Sequence, residues 1–176
     1  SSDVCSSDLL PAIALTDYKL LSGALEFSTK CKKKGIQPII GLDVDFISKL
    51  KHKSRLTFLC KNEIGFKNLN ILSTKINTEN EFNLSLNNIH NFSEGNILIL
   101  GGLFSYFQDL NINTNNLKII IDEITVLKNY FKNDVFFEFD ENLDNKPLNE
   151  ISKKSKINSF LSSFSFYKQD KDYDAI

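Results

Sequence analysis

Apolar residues along this chain recur at two different periods, and the switching between them sets out strands and helices in turn. Residues 11–15 (PAIAL) form a short apolar run, long enough for a buried strand and too short for a helix. Thr16 and Asp17 follow as polar groups at the carboxyl end of that strand, where parallel α/β sheets place their chemistry. Leu20, Leu21, Ala24, Leu25, Phe27, Ser28 and Cys31 then recur at helical spacing. Lys30 and Lys32 to Lys34 load the last turn, as the negative end of a helix dipole favours, and Gly35 suits the C′ position. Residues 36–40 start a second β-branched strand. Gly41 interrupts it, and residues 42–46 continue it with Asp43 and Asp45 alternating against Leu42, Val44 and Phe46. The sum is a parallel β-α-β unit, around which the rest of the chain is organised.

Downstream, residues 55–60 (RLTFLC) read as a strand after a basic, polar connection over 48–54. A helix opens at Asn62 and carries Ile64, Leu69, Leu72 and Ile76 on one face. The Asn-rich stretch 77–91 predicts a long loop with a short helix over 86–91, its core candidates being Phe82, Leu84, Leu86 and Ile89. Residues 96–100 (NILIL) predict a buried strand closed by Gly101 and Gly102, and 103–110 a short helix. After a polar break come an amphipathic helix over 117–131, a strand over 135–139 with Glu138 inside an aromatic run, a helix over 147–156 that Pro147 can start, and a strand over 159–164. A last helix or turn begins near Asp170. This alternation predicts an α/β fold with a mainly parallel sheet, and the strand count favours a barrel, or most of one, over a small open sheet.

Composition narrows the picture. With 176 residues, 41% of them hydrophobic, the chain can bury the core of one domain or a large part of one. A net charge of −1 supplies no global positive field to draw nucleic acid. Three scattered cysteines suit a reduced, cytoplasmic protein better than a disulfide framework or a zinc site, and no apolar run is long enough to span a membrane. The chain has no Met, and residues 1–9 (SSDVCSSDL) read as translated adapter sequence, a non-native leader in preference to a disordered tail. The expected domain is therefore 10–176, with its true start missing.

Individual side chains are weighed the same way. Asp17 reads as a helix N-cap ahead of a ligand, and Asp43 and Asp45 as the wet face of a strand. His52 and His90 read as surface residues, Cys31 and Cys60 as small buried hydrophobes. The basic stretch 49–55 reads as a solvated loop ahead of a phosphate contact. Gly101-Gly102 lacks the spacing of a nucleotide cradle, and Phe104, Tyr106 and Phe107 are core or a partner surface.

Several strings together carry a resemblance: PAIALTD at 11–17, GALEF at 23–27, KKKGIQPIIG at 32–41, KNEIGFKNL at 61–69, SEGNILILGG at 93–102, FFEF at 136–139 and the SFYKQDKDYDA ending. In this order and spacing the chain resembles the polymerase and histidinol phosphatase (PHP) domain at the N-terminus of bacterial DNA polymerase III alpha subunits. The resemblance implies a partial, distorted (β/α)7 TIM-like barrel lacking its first strand, whose rim in active relatives holds up to three metal ions on His, Asp and Glu ligands. It also implies that this ligand set is degenerate here. The paired histidines of the first strand lie upstream of Pro11. Asp17 and Asp43 are remnant ligand positions, while Tyr18, Asn142, Phe164 and Phe166 stand where the family has ligands, with Ser163 and Ser165 offering only hydroxyls. No metal, cofactor or catalytic residue is then expected in this chain. The implied role is a non-catalytic domain that stabilises the polymerase and docks a proofreading exonuclease subunit, with DNA reached through the parent protein and Mg²⁺ used by its polymerase carboxylates. The alternative is a Zn²⁺- or Mn²⁺-dependent phosphoesterase or 3′–5′ exonuclease that needs the missing strand.

Overall fold

The structure, a computed structural model of the chain, describes residues 11–51, 53–101, 114–140 and 146–162. Strand β1 (Ala12–Tyr18), helix α1 (Ala24–Lys33) and strand β2 (Gln37–Ile47) form the expected unit, with β1 and β2 parallel from Ala12 opposite Gln37 to Tyr18 opposite Asp43. Helix α1 ends in a Schellman motif: the Ile36 N–H donates to the Cys31 carbonyl and the Gly35 N–H to that of Lys32. Gly35 sits there at φ +71, a conformation in which a side chain would be strained.

Strand β3 (Lys53–Cys60) returns antiparallel to β2, and β4 (Asn96–Gly101) lies antiparallel to β3. Strands β5 (Val135–Asp140) and β6 (Ser159–Ser162) then add in parallel, giving one six-stranded sheet in chain order. The sheet is thus mixed, because the β2–β3 connection is a hairpin and carries no crossover helix. Helices α2 (Glu63–Thr78), α3 (Thr114–Tyr130) and α4 (Lys146–Ser155), with a 3₁₀ turn at Ile89–Phe92, complete a half-barrel of α/β type.

The core lies between the helices and one face of the sheet. Leu42, Val44, Phe46, Leu56, Phe58, Leu98, Leu100 and Phe137 meet Leu69 and Leu72 of α2, Ile120, Ile124 and Leu127 of α3, and Ile151 of α4. Full burial of side chains such as Phe58 and Phe137 contributes about 1.5–3 kcal/mol each.

Four local expectations are corrected. Gly41 does not interrupt its strand, since β2 is continuous. Leu20 and Leu21 precede α1, and Leu20 is exposed. Ile64 is exposed because α2 turns Gly65, Leu69 and Leu72 inward. No residue of β1 is buried: among the described residues this strand pairs on one side only, and an open groove of about 430 Å³ separates it from α1. The expected helix over 103–110, residues 1–9, His52, and the chain beyond 162 lie outside the described residues.

Two of the strings that carry the resemblance meet in space. Asn62 caps α2 by accepting the Gly65 N–H at 3.0 Å, the Lys61 N–H donates to the Gly95 carbonyl at 2.8 Å, and Asn68 donates to the Glu94 carbonyl at 3.0 Å. A methyl on Gly65 would fall on the Gly95 carbonyl, and one on Gly95 would fall on Asn62 Oδ1 and the Gly65 backbone. The glycines are there because two backbones touch.

Candidate functional site

Side chains alternate across a strand, so register decides which of them share a face. Tyr18 pairs with Asp43, Asp43 with Thr57, Asp45 with Arg55, and Ile47 with Lys53. These residues occupy the sheet face opposite Leu42 and Val44, at the carboxyl ends of β1 and β2, the rim at which parallel α/β folds hold ligands.

The groups there form one ion-paired cluster. Asp45 Oδ2 accepts from the Tyr18 hydroxyl at 2.7 Å and lies 2.6 Å from Lys19 Nζ and 3.1 Å from Lys53 Nζ. Asp43 Oδ2 accepts from Arg55 Nη1 at 3.3 Å and Asp43 Oδ1 from Thr57 Oγ1 at 3.4 Å. The Arg55 guanidinium stacks 4.0 Å from the centre of the Tyr18 ring. Burial pushes Asp43 up to about 6, against the pull of the Arg55 charge and two long hydrogen bonds. Burial also acts on Asp45, but Lys19, Tyr18 and Lys53 outweigh it and hold that carboxyl below its ordinary value. The Asp45 hydrogen bond in turn raises Lys19.

Lys19 owes its place to the backbone. It follows β1 at φ 62, a left-handed conformation uncommon for a residue with a side chain. Its N–H donates to the Asp43 carbonyl at 2.9 Å, and its carbonyl accepts from Ser73 Oγ at 2.8 Å and Asn77 Nδ2 at 2.9 Å of α2. Beside it, Lys19, Asp45, Ile47 and Lys53 face Ile76, Glu79, Asn80, Phe82, Asn83 and Leu84 across a pocket of about 270 Å³.

The two remnant positions are not brought together. Asp17 pairs with Leu42 and so projects to the other face, where its Oδ2 stands 3.3 Å from the point a Gly23 side chain would occupy. The N-cap of α1 is Gly23 and no side chain caps it, which corrects the reading of Asp17 as a cap: the strand runs on through Asp17 to Tyr18. Asn142, Phe164 and Phe166, with Phe104, Tyr106 and Phe107, lie outside the described residues.

Sequence reasoning missed Lys19, Lys53 and Arg55 as partners of the carboxylates, because only cross-strand register shows the pairing. It also missed Glu123 of α3. That side chain is buried against Phe46, Leu56, Leu100, Ile120, Ile124 and Leu127, and both its oxygens accept the Lys49 N–H at 3.3 Å. Burial pushes it up to about 7. The signal was present in its helical spacing from Ile120 and Leu127.

Comparison with known proteins accounts for this architecture. The family model described as "PHP domain" matches residues 3–142. The chain belongs to the PHP domain family. It is 35% identical over 142 residues to the DNA polymerase III subunit alpha of Chlamydia pneumoniae, covering 73% of this chain and 11% of that protein. With the subunit of Borreliella burgdorferi it shares 29% identity over 185 residues, covering 93% of this chain and 16% of that protein. The chain therefore spans a small part of the length of these relatives. Among solved structures, an amidohydrolase from Chromobacterium violaceum with bound sulfate and no metal superposes with a TM-score of 0.56 at 10% identity, over 93% of this chain and 79% of that one, a likeness of fold alone.

The metal ions that the PHP fold implies do not fit the residues described. Three cations, Lys19, Lys53 and Arg55, already face two carboxylates, Asp43 and Asp45, so an added dication meets repulsion where it needs neutralisation. Among the described residues no group of three or more His, Cys, Asp or Glu is placed to hold a metal. No helix among them is long and apolar enough to cross a membrane.

Proposed function

We propose that this PHP domain serves as a non-catalytic module of a DNA polymerase III alpha subunit, stabilising the polymerase and docking a proofreading exonuclease subunit in the cytoplasm. The observation that carries the reading is the triple occupation of Asp45 Oδ2 by Tyr18, Lys19 and Lys53. Side-chain cations pair with both carboxylates at this rim, Lys19 and Lys53 with Asp45 and Arg55 with Asp43. On this reading the Mg²⁺-dependent addition of nucleotides belongs to carboxylates elsewhere in the parent protein, and DNA is reached through that protein.

The test has two arms. Assayed with Mn²⁺ or Zn²⁺ on phosphomonoesters and on single-stranded DNA, the chain is expected to hydrolyse neither. Hydrolysis that disappears in Asp43→Asn would establish the metal-dependent phosphoesterase instead. In sedimentation with the proofreading exonuclease subunit, a complex is expected; its absence with the whole alpha subunit as well would remove the docking role.

A further inference from the structure

Helix α3 reaches the turn between β2 and β3 through one buried carboxylate. Glu123 is 3% exposed, and β2, β3, β4 and its own helix face it with Phe46, Leu56, Leu100, Ile120, Ile124 and Leu127, all apolar. The turn supplies the polar contact: both carboxylate oxygens share the Lys49 N–H at 3.3 Å. Among the described residues Lys49 is also the one charged group that acts on this carboxylate. A neutral acid is tolerated in such surroundings. An ionised one loses its hydration and gains a single long, shared hydrogen bond in return.

The turn is built as a cover. At Lys49 the chain directs its N–H to the carboxylate while the residue as a whole is exposed to water. The Lys51 N–H donates to the Ser48 carbonyl at 2.9 Å, and Lys51 sits at φ 57, a left-handed conformation uncommon for a residue with a side chain. The base of the hairpin is fixed by other means: Ile47 pairs with Lys53, and its N–H donates to the Leu84 carbonyl at 2.8 Å. Residues 48–51 can therefore swing away without unpairing β2 from β3. The other walls around Glu123 are core strands and α3 itself, so the turn is the cheapest route by which water reaches the carboxylate.

We propose that the 48–51 turn is a proton-operated lid over Glu123, shut while the carboxyl is protonated and released when it ionises. Release gives the charge its water and frees the Lys49 N–H. It also loosens the hairpin end next to Lys53, whose ammonium group lies 3.1 Å from Asp45 in the rim cluster. Burial, the force that would work the lid, pushes Glu123 from its ordinary 4.5 up to about 7.

Amide hydrogen exchange resolved by NMR across this pH range, corrected for the intrinsic chemical rate, tests it. The open lid leaves Glu123 with its ordinary 4.5 and the shut lid holds it at about 7, so closure is fully favoured below 4.5 and is lost as pH rises through 7. Protection of the Lys49 amide is expected to fall about tenfold per pH unit between these values and to level off above them. The Leu98 and Phe137 amides, which donate to the Asp134 and Asn158 carbonyls inside the sheet, are expected to stay at least about tenfold better protected at every pH. In Glu123→Gln the fall at Lys49 is expected to disappear. Asp43 titrates in both proteins, so the difference between them reports Glu123. Should that variant fail to fold, the wild-type comparison of Lys49 with Leu98 still decides. Lys49 protection that is independent of pH, that equals the protection of Leu98 throughout, or that falls as steeply in Glu123→Gln would each overturn the lid.

Discussion

Lys19 Nζ lies 2.6 Å from Asp45 Oδ2, and the residue that makes this contact sits at φ 62 with its carbonyl tied to Ser73 and Asn77 of α2. One ion pair therefore joins the end of β1, the wet face of β2 and, through the backbone, helix α2. Asp45→Asn removes the anion from two ammonium groups and a phenol hydroxyl at once. We expect it to destabilise the fold by about 1–3 kcal/mol in urea denaturation, because the partly buried Lys19 keeps its desolvation cost and loses its partner. A loss no larger than that of Lys53→Gln, whose exposed pair with Asp45 is worth under about 1 kcal/mol, would show that the cluster is not structural.

Glu123 sets the pH dependence of stability. Its folded value of about 7 stands above its ordinary 4.5, so the folded state binds its proton more tightly than the unfolded chain does. Stability from this group is fully present below 4.5 and is lost as pH rises through 7. At 1.36 kcal/mol per pH unit the loss by pH ~8 is about 3 kcal/mol. Glu123→Gln keeps an acceptor for the Lys49 N–H and removes the charge. It is expected to raise the melting temperature above neutrality, with the gain vanishing toward pH ~4. Asp43, raised from 3.8 to about 6, adds a slope of the same sign that the variant retains. A wild-type melting temperature that rises between these limits and a variant no more stable at high pH would contradict the assignment.

Gly65→Ala should cost about 2 kcal/mol or more, because the new methyl falls on the Gly95 carbonyl and neither backbone can withdraw without breaking the Asn62 cap. Gly35→Ala, which meets nothing within 4 Å and is strained only by its φ of +71, should cost less, about 1 kcal/mol. Chemical denaturation of the two variants side by side reads the difference, and equal losses would mean that the close approach of α2 to β4 is not what those glycines serve.

The parts of this fold legible in the sequence are those with local causes. The β-α-β unit follows from apolar period, the lysines at the end of α1 and Gly35. Helix α2 announces itself through Asn62, and β2 through the alternation of Asp43 and Asp45. What stayed hidden depends on distant neighbours. The exposure of β1 goes with its pairing on one side only among the described residues, which its apolar run cannot report. By resemblance Tyr18 was expected only to stand where the family has a ligand; its hydroxyl on Asp45 and the stacking of Arg55 on its ring come from the register of three strands. Asp17 and Asp43 were alike only as remnant ligand positions by resemblance, and the alternation of faces separates them.

With Lys19, Lys53 and Arg55 neutralising Asp43 and Asp45, this rim is expected to hold no metal. Titration of the metal-free chain with Mn²⁺, followed by the electron paramagnetic resonance signal of the free ion, tests it most directly. A free-ion signal that grows from the first addition, as in buffer alone, is expected. Loss of one or more equivalents of that signal, restored by Asp43→Asn, would contradict it.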